Sequence, residues 1–195
     1  MDPMCSWCWA FSKTLDSWLD MHPDLDVLWV MGSLAPDSDE PMPLTMRDAI
    51  ASTWKRIESQ TGTPFNHDFW TQNTPRRSTY PSCRAVIAAG ELHPEGRLMM
   101  SRAIQKAYYL DAKNPSDMST LIECAETIGL DESQFSEQLR SDLIESKLNS
   151  ELEFSRTLGV QGFPALLLVN GDAITPLALG YSTLDKIEKR FKESL

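Results

Sequence analysis

Two cysteines, Cys5 and Cys8, are separated by two residues near the beginning of the chain. From Trp7 onward apolar residues recur with a helical period, which predicts a helix over about residues 7–21. Cys5 would then lie at or near the first turn, where unpaired backbone N–H groups and the helix dipole favour an anion. Because the thiolate is the nucleophile of disulfide exchange, the spacing predicts a dithiol redox site in which Cys5 attacks and Cys8 resolves.

The same pair is also compatible with half of a structural zinc site, or with two inert core cysteines. A complete zinc site would need two more ligands, and the three histidines (His22, His67 and His93) show no paired spacing. The other cysteines, Cys83 and Cys124, stand alone, and we predict that they are buried structural thiols. A second redox pair between them would require Cα atoms within about 7 Å of each other.

Length, net charge and the first residues of the chain limit the classes of protein that the sequence can represent. A chain of 195 residues can bury a full core, and its length fits one domain that carries an insertion. The net charge of −10 argues against nucleic acid or an anionic membrane as a partner. No basic start or apolar run precedes the cysteines, so we expect no secretory signal and a cytoplasmic protein.

The hydrophobic pattern predicts an α/β fold interrupted by helices. Residues 26–32 form a short apolar run that predicts a buried strand, and residues 165–169 predict a central strand. Asn170-Gly171 is a hairpin signal, with residues 174–179 as the partner strand. Helices are predicted over residues 45–60, 76–91, 97–112, 116–128, 131–141, 143–158 and 182–194. We therefore predict a discontinuous domain of residues 1–35 and 143–195, with a helical insertion of residues 36–142.

Phe163 and Pro164 stand at the mouth of the predicted central strand. Proline cannot donate to a strand ladder, so its tolerated place is the first residue of the strand. A cis peptide bond there would turn the chain sharply, whereas an ordinary trans bond is the alternative.

The motif Cys5-Ser6-Trp7-Cys8 at a helix start, with Phe163-Pro164 before a hairpin and a final helix, resembles the thioredoxin superfamily. The large helical insertion is similar to that of its DsbA-like branch, which includes protein-disulfide isomerase-like proteins and the FrnE and 2-hydroxychromene-2-carboxylate isomerase relatives. Residues 74–80 and 107–110 are also typical of that group. The resemblance covers essentially the whole chain.

This resemblance implies a thioredoxin-like fold in which Cys5 is the nucleophile, Cys8 the resolving thiol and Pro164 a cis-proline packed against the pair. The backbone of Phe163 would pair with an extended substrate as an added strand. The side chains of Met4, Ser6, Trp7 and Phe163 would form a substrate-binding rim.

The chain departs from the family pattern in two ways. The fold places a strand directly before the Cys-x-x-Cys helix, and only four residues precede Cys5, so we expect that this strand is missing from the chain as given. In addition, Ser6-Trp7 supplies no histidine between the cysteines, so the helix terminus and hydrogen bonds must lower the pKa of Cys5. We therefore expect a less extreme oxidant than a motif with histidine would give.

The leading hypothesis is a thiol–disulfide oxidoreductase that acts on protein or small-molecule thiols and disulfides, as a monomer or dimer. It needs no cofactor beyond its redox-active disulfide, with glutathione as a candidate reductant or co-substrate. Arg76 and Arg77 are candidates to bind a glutathione carboxylate, although a solvated helix start is the alternative. A glutathione-dependent isomerase or transferase for a small aromatic substrate is the second hypothesis, and a zinc or chaperone-like binding module is the third.

Overall fold

The computed structural model describes residues 1–194, which form nine helices and a two-stranded sheet. The elements in chain order are α1 (Ser6–Met21), α2 (Leu44–Thr61), α3 (Phe69–Gln72), α4 (Tyr80–Leu92), α5 (Gly96–Tyr109), α6 (Met118–Thr127), α7 (Glu132–Leu139), α8 (Asp142–Thr157), β1 (Ala165–Asn170), β2 (Ala173–Leu179) and α9 (Leu184–Glu193). Leu195, the last residue of the predicted discontinuous domain, lies outside the described residues. Within residues 1–194, no helix is both long enough and apolar enough to cross a membrane.

Helix α4 is the centre of the largest core, which it forms with α5, α6, α7 and α8. Its residues 85–89 are all fully buried, as expected of a helix that is apolar around its whole circumference. Two of the surrounding helices, α7 and α8, begin at side-chain caps: the Asp131 carboxylate accepts from the N–H of Gln134 at 2.9 Å, and the Ser141 hydroxyl accepts from that of Ile144 at 3.4 Å. The predicted helical block is thus helical in the structure.

The start of α4 differs from the prediction of a helix from residue 76. The preceding segment is held in an extended conformation, because Pro41 and Arg76 form an isolated antiparallel bridge and the N–H of Met42 donates to Pro75 O at 2.7 Å. The helix begins instead at Tyr80, with a proline in its first turn, where its missing N–H costs nothing.

Helix α1 packs between two clusters. Phe11 and Trp18 face β2 and α9, while Ala10 faces an aromatic cluster formed by α2, α3 and the end of α5. The members of the aromatic cluster are Trp54, Phe65, Phe69, Tyr108 and Tyr109. These contacts on both sides fix the position of α1 and therefore of the cysteines at its start.

The hairpin forms as predicted. β1 and β2 are antiparallel, with Asn170 opposite Ala173 and Gly171 in the turn at a φ of 59°. That positive φ is readily adopted by glycine, which explains the Asn-Gly turn.

The prediction of a buried, hydrogen-bonded strand at residues 26–32 is wrong. The segment belongs to no sheet, and Leu28 is 76% exposed while Met31 is fully buried. On one side it meets Met1, whose amino group donates to Val30 O at 2.6 Å and whose carbonyl accepts from the N–H of Gly32 at 2.8 Å.

On the other side of this segment, an ion pair takes the place of a neighbouring strand. Arg97 donates to Trp29 O at 2.7 Å, and Glu151 accepts from the N–H of Met31 at 2.7 Å. Arg97 Nη2 also donates to Glu151 Oε1 at 2.7 Å. Backbone groups that a ladder would pair are thus satisfied by side chains from α5 and α8.

Candidate active site at the start of the first helix

Cys5 is the N-cap residue of α1. Its backbone is extended, with φ −82° and ψ 115°, and its carbonyl accepts the first helical hydrogen bond, from the N–H of Trp9 at 3.0 Å. Cys8 lies one turn further along, and both thiols are free and buried, with 7% and 5% exposure. The helix start therefore holds a dithiol beside the unpaired N–H groups of its first turn.

The two thiols have unequal acidity. A hydrogen bond from the Cys8 thiol lowers the pKa of Cys5, against the opposing effects of burial and of the Asp2 carboxylate. Burial raises the pKa of Cys8 well above its ordinary value, and the hydrogen bond and charge of Cys5 raise it further. The pair can therefore share one proton, which leaves the negative charge on Cys5.

The Phe163–Pro164 peptide bond is cis, and it lies beside the first thiol. Cys5 Sγ is 3.6 Å from Phe163 O, in a weak hydrogen bond across 158 positions of sequence. Pro164 is buried, and its carbonyl accepts from the N–H of Gly180 at 2.7 Å. The structure thus brings Cys5 and the Phe163-Pro164 step together.

A cavity of about 260 Å³ opens at Cys5. The predicted rim forms one wall, with Met4, Ser6, Trp7 and Phe163 all lining it. The other lining residues belong to α2, to α5 and to two loops, and include Leu34, Ile50, Thr53, Trp54, Arg77, Thr79 and Tyr108. Of the two thiols, Cys5 is the one that lines this cavity.

The two arginines at the cavity differ in their partners. Arg76 donates to the Asp117 carboxylate at 2.5 Å and to Ser116 O at 2.7 Å, so its guanidinium already has hydrogen-bond partners within the protein. Arg77 is exposed and, within residues 1–194, forms no ion pair. The cavity therefore has one cationic side chain available to an anionic group.

The remaining cysteines lie in the helical core. Cys83 is fully buried and Cys124 is 4% exposed, as predicted, and both are free thiols. Burial raises the pKa of Cys83 well above its ordinary value and that of Cys124 to about 11. In the described part of the chain, no three His, Cys, Asp or Glu side chains are grouped as a metal site would require.

Asp2 was not identified from the sequence. Its side chain is fully buried, and burial raises its pKa although Thr79 and the N–H groups of Met4 and Leu34 hydrogen-bond to it. The sequence signal was limited to its place three residues before Cys5, because the groups that bury it lie in distant loops.

Known proteins share this fold. A candidate protein disulfide isomerase from Nitrosomonas europaea superposes with a TM-score of 0.86 and 24% identity, over 98% of this chain and 93% of that chain. The cytosolic disulfide reductase DsbM from Pseudomonas aeruginosa gives a TM-score of 0.80 and 24% identity, over 99% of this chain and 94% of that chain. A second DsbM structure, with GSH, gives 0.78 at 24% identity, over 99% and 95% of the two chains.

A curated relative is the ClpXP adapter protein SpxH from Halalkalibacterium halodurans, which is 24% identical over 178 residues. The match covers 87% of this chain but 57% of that protein, so the chain spans little more than half of its relative. The profile of the family described as DSBA-like thioredoxin domain matches residues 1–192. Because this match covers nearly the whole sequence, the chain belongs to the DSBA-like thioredoxin domain family.

Proposed function

We propose that this protein is a thiol–disulfide oxidoreductase that exchanges disulfides through Cys5 and Cys8. The observation that carries the proposal is the asymmetry of the pair: Cys5 lines the cavity and has the lowered pKa, while Cys8 is more deeply buried and has the raised pKa. An enzyme of disulfide exchange needs one accessible thiolate that attacks the substrate and a second thiol that later attacks the mixed disulfide.

In the reductive direction, the Cys5 thiolate attacks one sulfur of a substrate disulfide. A Cys5–substrate bond forms, the substrate S–S bond breaks, and the departing sulfur leaves as a thiolate that takes a proton from solvent. Cys8 then loses its proton and attacks Cys5 Sγ, which releases the second substrate thiolate. The substrate gains two electrons, and the protein is left with a Cys5–Cys8 disulfide. The reverse sequence transfers that disulfide to a substrate dithiol.

Formation of the mixed disulfide removes the charge on Cys5 that raises the pKa of Cys8. Cys8 therefore becomes easier to deprotonate once the first step is complete. In this proposal Met4, Ser6, Trp7 and Phe163 bind the substrate around the reacting sulfur. Pro164 carries no N–H that could compete for the thiolates.

Glutathione is the small thiol that we propose as a partner. A cavity of about 260 Å³ beside Cys5 suits a compact disulfide or part of a peptide, and Arg77 offers a guanidinium to a carboxylate. The DsbM structure with GSH, at 24% identity, supports the same choice. The description of DsbM as a cytosolic disulfide reductase also supports a cytoplasmic location and the reductive direction.

Trapping of the mixed disulfide tests the proposal. Cys8→Ser should accumulate glutathione on Cys5 after incubation with glutathione disulfide, and intact-mass measurement followed by peptide mapping should locate it. Cys5→Ser should form no adduct at the motif, and Cys124→Ser in the core should behave as the parent protein. The proposal fails if folded Cys8→Ser forms no adduct on Cys5.

The same variant separates the other hypotheses. An isomerase or transferase that uses one thiol to activate glutathione would keep its turnover in Cys8→Ser. A chaperone-like binding module would keep its ligand after loss of either thiol, whereas a zinc module would lose its metal, which a stoichiometric zinc assay measures directly.

A further inference from the structure

Tyr181 follows the turn at the end of β2, and its ring packs against the start of the dithiol helix. The ring centroid lies 5.8 Å from that of Trp7, with the two planes tilted by 48°. It lies 6.4 Å from the ring centroid of Phe11, in an edge-on contact at 77°. Because Trp7 and Phe11 are four positions apart on α1, they lie on one face of the helix, and Tyr181 covers that face.

The backbone next to Tyr181 contacts the other half of the site. Gly180 has a φ of 86°, which glycine adopts readily, and its N–H donates to Pro164 O at 2.7 Å. Two consecutive residues therefore hold both parts of the site. Gly180 holds the cis-proline step through its backbone, and Tyr181 holds the residue that precedes Cys8 through its ring.

Trp7 is supported from two sides. Its indole packs against the aromatic cluster of α2, α3 and α5, and Tyr181 contacts it as well. Trp7 lines the cavity at Cys5, whereas Tyr181 lies outside that lining. The Tyr181 ring therefore backs the indole from outside the cavity.

The approach to the Cys5 sulfur is narrow. Cys5 is 7% exposed and lines a cavity of about 260 Å³, which is smaller than the roughly 300–1,000 Å³ of most small-molecule sites. A displacement of one wall therefore changes which groups can reach the sulfur.

We propose that Tyr181 is a positioning residue that determines substrate size: by holding Trp7 against the cavity, it makes the site select compact disulfides over those of folded proteins. The inference rests on the proposed function, and it names the substrate class of that site. Tyr181 acts through Trp7 and does not itself touch the reacting sulfurs.

The direction of the effect follows from where space would open. The Cys5–Cys8 dithiol gives two electrons and two protons to the substrate disulfide, which leaves as two thiols while the Cys5–Cys8 disulfide forms. In the first attack, the groups attached to the substrate sulfur must pass the Trp7 indole. Removal of the Tyr181 ring would free space on the outer side of the indole, so the entrance would widen and a compact substrate would lose a fitted wall.

Three variants test this inference. Tyr181→Leu removes the ring but keeps an apolar side chain, and Tyr181→Phe keeps the ring. Leu179→Ala is the matched control, because it shortens a large apolar side chain two positions earlier that is 65% exposed and lies outside the cavity lining.

Each variant is reduced, freed of reductant and mixed with glutathione disulfide or, separately, with insulin, whose disulfides belong to a folded protein. The substrate is then the only oxidant, and quenching followed by mass measurement gives the two single-turnover rate constants. In Tyr181→Leu the ratio of the glutathione disulfide rate constant to the insulin rate constant should fall about fivefold, the size expected of one aromatic pair. Tyr181→Phe and Leu179→Ala should keep the parent ratio. A residue needed only for stability would lower both rate constants together, so an unchanged ratio in folded Tyr181→Leu overturns the inference.

A second measurement does not depend on disulfide exchange. Cys5 is alkylated with compact iodoacetamide or with bulky N-pyrenylmaleimide, and peptide mapping locates the adduct. Tyr181→Leu should accelerate the bulky reagent relative to the compact one, and equal relative rates in Tyr181→Leu and the parent protein overturn the inference. Failure of the proposed function is visible separately, because the reduced parent protein would then reduce neither disulfide, while the alkylation ratio would still report whether Tyr181 restricts access to Cys5.

Discussion

The aromatic ring of Phe163 occupies the space beside the Cα of Gly32, where a Cβ would lie 1.9 Å from Cζ of that ring. Gly32 ends the segment of residues 26–32 beside Met1, and Phe163 carries the carbonyl that contacts Cys5. The absence of a side chain at residue 32 thus allows the loop that carries the cis peptide bond to approach the dithiol.

Gly32→Ala should therefore displace the Phe163 ring and the loop that carries it. We expect slower glutathione-dependent disulfide reduction, by about tenfold, and a lower melting temperature, because overpacking of this kind costs about 1–3 kcal/mol. Gly162→Ala is the control, since a Cβ at Gly162 would meet no atom within 4 Å. Equal rates in the two variants would show that the Gly32–Phe163 contact does not position the site.

The acidity of Cys5 should depend on the hydrogen bond from Cys8, which is the largest cause of its lowered pKa. As pH rises through the pKa of Cys5, its alkylation rate should rise and then level off below the pH expected for an ordinary thiol. Cys8→Ala removes the donor and should move this midpoint to higher pH. Cys8→Ser keeps a hydroxyl donor, so its midpoint should lie between those of the parent protein and of Cys8→Ala. An unchanged midpoint in Cys8→Ala would assign the acidity of Cys5 to the helix terminus instead.

Arg77 should recognise the charge of the substrate. Arg77→Gln is expected to raise KM for glutathione disulfide by about five- to tenfold, since a charge-assisted hydrogen bond contributes about 1.5–3 kcal/mol before solvent screening. An uncharged dialkyl disulfide provides the control within each variant, because its KM should not change. The difference between the parent protein and Arg77→Gln should shrink at high salt. Equal losses for both substrates would exclude a carboxylate at Arg77.

Local patterns predicted most of the fold. The apolar period and the Cys-x-x-Cys motif located α1 to within one residue, and Asn170-Gly171 located the hairpin turn. These signals succeed because helix periodicity and turn conformation are determined by residues close together in sequence.

The predictions from sequence failed where residues distant in the chain supply the hydrogen-bond partners. Residues 26–32 have the composition of a buried strand, but the side chains of Arg97 and Glu151 satisfy one edge of this segment. Asp2 has no local sequence signal, because its burial and its hydrogen bonds depend on Leu34 and Thr79. The packing of Pro164 against the cysteine pair was expected from the family resemblance alone, since no local pattern joins two positions so far apart; the observed contact of this step with Cys5 is made by Phe163 O.

The ion pair of Arg97 and Glu151 should stabilise the whole fold through the segment that precedes Gly32. Glu151→Ala would leave the Arg97 guanidinium unpaired, and would leave the N–H of Met31 without its acceptor beside a fully buried side chain. Removing one partner of a buried ion pair costs about 3–5 kcal/mol. Because the Arg97 and Glu151 side chains remain about one-fifth exposed, we expect a smaller loss, of about 2–3 kcal/mol, in the free energy of unfolding. Glu153→Ala on the same helix removes an exposed carboxylate that pairs with Arg156, and should cost less than about 0.5 kcal/mol. Urea denaturation of the two variants measures both values. Equal midpoints would mean that water, rather than Glu151, satisfies the N–H of Met31.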